Sequence, residues 1–449
     1  MTTLPNMHSV HPLWPLGSLP FVLLLLAIAV LPLIPRAAHW WHANSNKLIV
    51  AAACGVATLL FIAGTDSVGA AWHALEHTLL AEYVPFIILL GSLYVVAGGI
   101  VIRGDLAATP TTNTSILLVG TLLASIMGTT GASVLLIRLL LATNQQRTRV
   151  VHTVVFFIFL VSNIGGLLLP IGDPPLFLGY LRGVPFFWTL HMWKPFLFVS
   201  GSVLAIYWVV DSWMFRREPA AARAAESVTR RRVHLSGSMN LLWLVGILAA
   251  VIVLIPGRVL PGTSWTVPNF AREAVMVACA VLSLVTTRAE LRRVNSFTWG
   301  PILEVAVLFI GIFVAMQVPL GVLQQRGGEL GLSSPNGYFW ATGILSSFLD
   351  NAPTYLVFLT TAITQPVPSG SVSIALVDGS VVAEPLLAAV SLGAVFMGAN
   401  TYIGNGPNFM VKAIAEERGV RMPTFFGYMA WAAAILIPVF IATSLLFLR

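Results

Sequence analysis

Two short motifs in an otherwise apolar chain carry the residues best suited to chemistry. Residues 171–177 (Ile-Gly-Asp-Pro-Pro-Leu-Phe) align with residues 403–409 (Ile-Gly-Asn-Gly-Pro-Asn-Phe) at four of seven positions. Each motif places a carboxylate or an amide, Asp173 or Asn405, where Gly and Pro disfavour a regular helix. Breaks at corresponding places in two halves of a membrane protein are typical of a transporter's binding site.

Asp173 is the strongest candidate for ion chemistry. Pro174 lacks an amide donor and disfavours helical backbone at Asp173, so carbonyl groups and one carboxylate converge at the break. Oxygen donors of this kind suit a small hard cation such as Na⁺. We predict a Na⁺ site formed by Asp173, Asn163 and Asn405. The alternative is that Asp173 only caps the half-helix that follows it.

A second carboxylate, Asp350, lies in the interruption of the apolar stretch 337–364. A buried carboxylate without a charge partner favours its protonated form, so it can exchange H⁺ for a cation near neutral pH. Its alternative role is also a helix N-cap. The predicted ion or proton ligands are Asp173, Asp350, Asn163, Asn351, Asn400, Asn405 and Thr401. The predicted substrate contacts are Thr129, Thr130, Ser133, Thr354, Asn408 and Arg138.

The Asn, Thr and Ser side chains in these two sets have an alternative role, which is to satisfy backbone groups that the helix breaks leave free. Arg138 is the one cation in the set. It lies in the returning arm of the stretch 114–142, shortly before the polar residues 143–147. We predict that its side chain extends to the membrane interface, as long basic side chains do. The alternative is contact with an anionic substrate or with an Asp.

The composition identifies the environment of these residues. Of 449 residues, 57% are hydrophobic and 9% are charged, whereas soluble proteins carry roughly 25% charged residues. The apolar runs are long enough for membrane helices and lack the alternation of barrel strands. The net charge of +7 comes mostly from Arg in short loops, where it sets membrane orientation and does not indicate nucleic-acid binding.

The apolar runs predict two halves with the same order of elements, residues 1–214 and 239–449, joined by a cytoplasmic linker at 215–238. Each half has three spans, a hairpin, a broken span and a last span. The hairpins are predicted at about 114–142 and 337–364. The broken helices are predicted at about 150–183 and 384–413. Arg103 and Arg147 flank the first hairpin, whereas the loops around the second contain only one basic residue, Arg326.

This charge distribution predicts that the first hairpin opens to the cytoplasm and the second to the outside. The two halves are then inverted-topology repeats in an all-α membrane protein, an architecture found in secondary transporters. Four basic residues depart from the pattern, because they fall at ends that the scheme places outside: Arg182, Lys194, Arg258 and Arg272.

Three motifs resemble signatures of the ion transporter superfamily. They are residues 128–133 (Gly-Thr-Thr-Gly-Ala-Ser), 162–175 (from Ser-Asn-Ile-Gly-Gly to Gly-Asp-Pro-Pro) and 349–354 (Leu-Asp-Asn-Ala-Pro-Thr). The sequence is most similar to NhaD-type sodium/proton antiporters and to the citrate-transporter branch. The resemblance implies inverted repeats, re-entrant hairpins and a site at the membrane midplane, often in a homodimer. The dicarboxylate branch has Ser-Asn-Thr at both hairpin tips, and its absence here favours ion exchange.

We therefore predict a multi-pass protein of the bacterial inner membrane that exchanges Na⁺ or Li⁺ for H⁺. The alternative is a cation-coupled transporter of citrate or another small carboxylate. The predicted partners are the lipid bilayer and these small solutes. The sequence contains no nucleotide-binding motif and no nucleophile–base arrangement, so we do not predict an enzyme or a cofactor other than Na⁺ as coupling or transported ion.

Overall fold

The computed structural model describes residues 11–219, 231–260 and 262–448. It is built almost entirely of helices. Within the described ranges, six helical segments are long and apolar enough to cross a membrane, and two bent helix pairs meet the same criteria. The prediction of an all-α polytopic membrane protein is confirmed.

The first half contains ten α-helices among its described residues. They are α1 (Trp14–Val30), α2 (Pro35–Trp41), α3 (Asn44–Thr65), α4 (Val68–His77), α5 (Val84–Ala97), α6 (Pro110–Met127), α7 (Thr129–Thr143), α8 (Val151–Leu160), α9 (Pro174–Leu181) and α10 (Trp193–Arg216). A π-helical turn, Thr78–Tyr83, joins α4 to α5. Strand β1 (Val101–Asp105) pairs antiparallel with β2 (Arg231–Ser236), which follows the part of the linker, 220–230, outside the described residues.

The second half repeats this order of long helices. They are α11 (Met239–Val253), α12 (Ala271–Thr286), α13 (Ala289–Val294), α14 (Gly300–Ala315), α15 (Gln317–Arg326), α16 (Pro335–Phe348), α17 (Asn351–Ile363), α18 (Glu384–Met397), α19 (Gly406–Glu417) and α20 (Phe425–Phe447). A small antiparallel hairpin of β3 (Ser373–Ala375) and β4 (Val381–Ala383) precedes α18.

The two hairpins begin in the same way. Thr109 accepts a hydrogen bond from the Thr112 amide at the start of α6, and Ser334 accepts one from the Gly337 amide at the start of α16. Each cap is followed directly by a proline, which suits the first helical position because no intrahelical amide bond is lost there. Local sequence therefore fixes where each hairpin starts.

The two hairpin tips turn by different means. Gly128, between α6 and α7, has φ +80°, a conformation that glycine adopts without a Cβ penalty. Asp350, at the aligned position between α16 and α17, has φ −54° and keeps an extended backbone. The first tip therefore needs glycine, whereas the second can carry a carboxylate.

The segments that contain the breaks lie in the centre of the protein. Nine of the ten residues of α8 are buried, and α18 is buried along most of its length. A helix that is apolar all round and buried by its neighbours belongs to the core. By contrast, α3 exposes large apolar residues such as Ile49 and Leu60, as expected of a helix that faces lipid.

Contacts between the halves are reciprocal. Helix α3 packs against α14 and α5 against α12, while α7 contacts α19 and α17 contacts α9. The last helices of the two halves, α10 and α20, also pack together. Two repeats related by an approximate two-fold axis would produce this pattern, so the packing supports the predicted repeats, whose inverted orientation in the membrane stays a prediction.

Membrane orientation can be tested by cysteine labelling. We expect residues 143–149 and 215–235 to face the cytoplasm, and 257–269 and 365–383 to face outside, because of the Arg distribution. In a variant without Cys54 and Cys279, Gln146→Cys should react with an impermeant maleimide only after permeabilisation. Asp378→Cys should react in intact cells. Both side chains are exposed, so the reverse labelling pattern would contradict the inverted arrangement.

Candidate ion-binding site where the two helix breaks meet

Both central helices are interrupted by the same backbone device. After α8 the chain forms a short 3₁₀ turn and an irregular stretch before α9 begins at Pro174, and α18 leads in the same way to α19. In the first break Gly172 packs against the Gly166 carbonyl, and in the second Gly404 packs against the Gly398 carbonyl. A Cβ at Gly404 would lie 2.6 Å from the Gly398 oxygen. Only glycine allows this approach.

Each hairpin tip is hydrogen-bonded to one of these breaks. The Ser125 hydroxyl donates to the Gly165 carbonyl (2.5 Å), and the Ser347 hydroxyl donates to the Met397 carbonyl (3.1 Å). The Thr129 amide also donates to the Gly172 carbonyl (2.8 Å). The hairpins therefore satisfy backbone groups that the breaks leave without helical partners.

Asp173 lies at the centre of this arrangement and is 1% exposed. Its Oδ1 accepts hydrogen bonds from the Thr129 hydroxyl and from Asn405 Nδ2, each at 3.1 Å. Its Oδ2 accepts one from Asn351 Nδ2 at 2.6 Å. Asp173 is the N-cap residue of α9, but its side chain makes no capping bond. The alternative that Asp173 only caps a helix is therefore wrong.

These four residues form two aligned pairs from the two halves. Asp173 corresponds to Asn405 in the break motifs, and Thr129 corresponds to Asn351 at the hairpin tips. The side chains of Asp173 and Asn405, which we predicted to share a Na⁺ site, are in direct contact. The cluster thus draws one side chain from each hairpin tip and one from each break.

Asp173 is held by neutral donors alone. Among the described residues, no Arg, Lys or His side chain forms a hydrogen bond or an ion pair with it. Four helices, α7, α9, α17 and α19, begin at the cluster. The partial positive charge of helix N-termini favours a carboxylate there. The helix N-termini therefore favour the ionised form of Asp173, which has no fixed counter-ion among the described side chains.

Amide oxygens beside the cluster lack partners. Within the described ranges, the buried Oδ1 atoms of Asn163, Asn351 and Asn400 accept no hydrogen bond. A Cβ placed on Gly398 would lie 3.2 Å from Asn163 Oδ1 and 3.7 Å from Asn351 Nδ2. The side chains of Asn163 and Asn351 therefore converge next to Gly398. Buried oxygens normally have a partner, which can be an ordered water or an ion. Next to a carboxylate, they fit a small cation such as Na⁺.

Other predicted ligands stabilise the backbone around the cluster. Asn408 accepts from Asn163 Nδ2 (2.7 Å) and donates to the carbonyls of Gly398 (2.8 Å) and Thr401 (2.9 Å). The Thr401 hydroxyl accepts from the amides of Ile403 and Gly404, each at 3.2 Å. These contacts correspond to the alternative in which polar side chains satisfy free backbone groups.

Asp350 lies next to the cluster and caps a helix. Its side chain is half-buried and accepts a hydrogen bond from the Ala352 amide at 3.1 Å, at the start of α17. The Thr354 hydroxyl donates to the Asp350 carbonyl at 2.9 Å. The capping role is thus present, and a proton-binding role for Asp350 stays a prediction.

Three further predicted residues lie on the same hairpin tips and breaks. The Ser133 hydroxyl is 2.8 Å from the Ser162 hydroxyl, which connects α7 to the first break. Asn400 Nδ2 donates to the Ser347 hydroxyl at 2.9 Å. Thr130 is half-buried and adjacent to Thr129. Their substrate or ion contacts stay predictions.

A comparison with protein-family models gives one match that spans nearly the whole chain. Residues 10–448 match CitMHS_2, the family described as putative citrate transport. The chain belongs to this family. No curated protein matched it. Family membership and the helical architecture together identify a multi-pass membrane protein of a transport family.

Arg138 lies apart from the cluster in this transport-family protein. It follows Thr129 by nine residues on α7, which is about 13 Å along a helix axis. It is close enough to Arg418 and Glu417, at the far end of α19, to interact with them electrostatically. This position fits the predicted extension toward the membrane interface better than contact with a substrate at Asp173.

The sequence analysis missed a buried ionic network in the first half. Asp211 accepts from both terminal nitrogens of Arg147, at 3.1 and 2.6 Å, and lies 2.7 Å from His152 Nε2. Asn113 and Asn144 bond reciprocally beside it. Two ionisable residues in predicted spans, His152 and Asp211, were the signal, because such residues are costly in lipid and normally have partners.

Proposed function

We propose that this protein is a secondary active transporter in which Na⁺ or Li⁺ and H⁺ compete for the Asp173 carboxylate. It exchanges these cations for protons across the bacterial inner membrane. The observation that carries the proposal is a fully buried carboxylate with three neutral donors and unpartnered amide oxygens beside it. A permanent ion pair would leave no reason for a cation to bind.

In this mechanism Asp173 holds one cation at a time. With Na⁺ bound, the carboxylate and the free oxygens of Asn163 and Asn351 replace part of the hydration shell of the ion. With H⁺ bound, the neutral carboxyl group keeps acceptor oxygens for Thr129, Asn351 and Asn405. Because its ligands come from both halves, a relative movement of the halves would change the site's geometry and access. This is the requirement for alternating access.

Transport assays in everted membrane vesicles test the proposal directly. Respiration establishes a pH gradient, and a fluorescent probe reports its dissipation when salt is added. We expect Na⁺ and Li⁺ to dissipate the gradient and K⁺ to leave it unchanged, relative to vesicles without the protein. Equal responses to all three cations, or no response, would contradict Na⁺(Li⁺)/H⁺ exchange.

The family match supports a second candidate, cation-coupled transport of citrate or another small carboxylate. The cation would again bind at Asp173, and the carboxylate would contact hydroxyl and amide groups of the hairpin tips, such as Thr130, Ser133 and Thr354. Uptake of labelled citrate by the same vesicles, driven by a Na⁺ or H⁺ gradient, separates the candidates. Citrate uptake without cation–proton exchange would replace the first proposal with the second.

Arg138→Gln should leave coupled exchange within about twofold of the unsubstituted protein. An Arg beside a cation site would repel the ion, and Arg138 lies about 13 Å along α7 from Thr129. Initial rates of gradient dissipation measure the effect. If the protein instead transports citrate and Arg138 binds it, the variant loses charge-assisted hydrogen bonds to a citrate carboxylate. Citrate uptake should then fall by at least about tenfold.

Asp350→Asn should shift the pH profile of exchange to lower pH. Asparagine is also a good N-cap, so the start of α17 is kept. An ionised Asp350 near Asp173 disfavours a second negative charge. Its removal lets Asp173 release its proton at lower pH. The test is to measure exchange rates across a pH series, with the exposed Asp378→Asn as charge-matched control. An unchanged pH profile would leave Asp350 with its capping role alone.

A further inference from the structure

A second polar site lies at the far ends of the helices that start at Asp173. A cavity of about 440 Å³ opens between the loop after α7 and the loop after α19. Its volume is typical of small-molecule sites. The polar side chains that line it are Asn144, Gln145, Arg147, Thr148, Arg418 and Arg421. None of these residues belongs to the Asp173 cluster.

On one wall of the cavity the charged groups already have partners. Arg147 is bound by Asp211, and Glu218 accepts hydrogen bonds from the Thr148 amide (3.2 Å), the Thr148 hydroxyl (2.7 Å) and the Arg149 amide (2.8 Å). Burial of Glu218 acts to raise its pKa. These hydrogen bonds have the larger combined effect and lower the pKa of Glu218 below its ordinary value. Glu218 therefore stays ionised and holds the loop in place.

The other wall carries arginines without acidic partners. In the part of the chain that the structure describes, Arg418 and Arg421 form no ion pair. Gly419, with φ +86°, ends α19 in a turn that places both arginines on the cavity. Arg138 is close enough to Arg418 and Glu417 to interact with them electrostatically, and its buried Nε has no hydrogen-bond partner.

We propose that this basic cavity binds a small polyvalent anion, one with two or more ionised carboxylate or phosphate groups. Arg418 and Arg421 would each bind one anionic group through charge-assisted hydrogen bonds. The Gln145 side chain, on the wall that also carries Arg147, supplies a neutral donor. The excess positive charge is then neutralised by the ligand. This goes beyond the proposed function and does not depend on which cation Asp173 carries.

The location gives the bound anion a structural effect. Helix α7 begins at Thr129 and α19 begins beside Asn405, so both helices connect the Asp173 cluster to the cavity. An anion held between the loops that follow them would fix the two helices relative to each other. The free and occupied states would therefore differ in how easily the cluster rearranges.

Binding can be measured on the purified full-length protein in detergent at constant ionic strength, which keeps non-specific screening equal. The probes are citrate and inorganic phosphate, with acetate as the monovalent control. We expect saturable binding by calorimetry and a rise in the melting temperature for a polyvalent probe. Acetate should produce neither. The Arg418→Gln/Arg421→Gln double variant should weaken binding by at least about tenfold.

Arg288→Gln/Arg293→Gln is the matched control, because both arginines are exposed, lie outside the cavity and carry the same total charge. It should bind the probes normally. Native mass spectrometry of protein from anionic nanodiscs separates a lipid headgroup from a free anion as the ligand. If the control variant retains bound lipid and the cavity variant loses it, the anionic ligand of the cavity is a lipid headgroup. The proposal would be overturned if no probe or lipid bound saturably, or if both variants bound the ligand equally well.

Discussion

Asp173→Asn should abolish Na⁺-dependent proton exchange and leave the protein inserted and folded. The amide keeps the shape of the side chain, and its oxygen can still accept from Thr129 and Asn405. Its NH2 group replaces Oδ2 and can donate to Asn351 Oδ1, which has no partner, if the Asn351 amide turns over. It cannot ionise, so it neither releases a proton nor supplies the negative charge that a buried cation requires. We expect the exchange rate to fall to the level of vesicles without the protein.

Two measurements keep this prediction separate from misfolding. The variant should elute as a single species in detergent and melt close to the unsubstituted protein. Asp378→Asn, in an exposed loop, makes the same chemical change and should retain full exchange. A folded Asp173→Asn protein with most of its activity would show that the transported cation binds elsewhere.

Gly404→Ala should strongly destabilise the protein. The added Cβ would lie 2.6 Å from the Gly398 carbonyl and 2.7 Å from the Ser346 carbonyl. Both neighbours are backbone atoms, so no side-chain rotation can relieve the overlap. Overpacking of this kind costs about 1–3 kcal/mol or more. We expect the melting temperature in detergent to fall by about 1–3 °C or more, or folded protein to be lost.

Gly406→Ala provides a control two residues away. A Cβ at Gly406 has no neighbour within 4 Å apart from the adjacent residues. Alanine is the better helix former, and the restriction that Pro407 places on a preceding residue with a Cβ acts against this gain. This variant should therefore melt close to the temperature of the unsubstituted protein. Equal stability of the two variants would show that the backbones at Gly398 and Gly404 are not in close contact.

The helix breaks were predictable because their signals are local. Pro174, Pro175 and Gly172 restrict the backbone wherever they occur, so the interruption before α9 follows from the sequence alone. The starts of α6 and α16 are encoded in the same way by a capping hydroxyl and a proline. Such features need no knowledge of the rest of the chain.

The repeated motifs indicated that Asp173 and Asn405 share a site, but the individual hydrogen bonds could not be predicted, because they are long-range. Asn351 reaches Asp173 across 178 positions of sequence, and nothing in the local pattern specifies that distance. The apolar run of α8 is equally compatible with a helix that faces lipid, but nine of its ten residues are buried by protein. Hydrophobicity alone does not distinguish a lipid neighbour from a protein neighbour.

The aligned pair Asp173 and Asn405 has a consequence for energetics. Of these two aligned positions only Asp173 can ionise, so the pair contributes at most a single negative charge. In the proposed exchange, Na⁺ or H⁺ would each neutralise this charge, and one-for-one exchange would move no net charge across the membrane. A membrane voltage, which acts on unbalanced charge with about 2.3 kcal/mol per 100 mV, would then neither drive nor oppose the cycle.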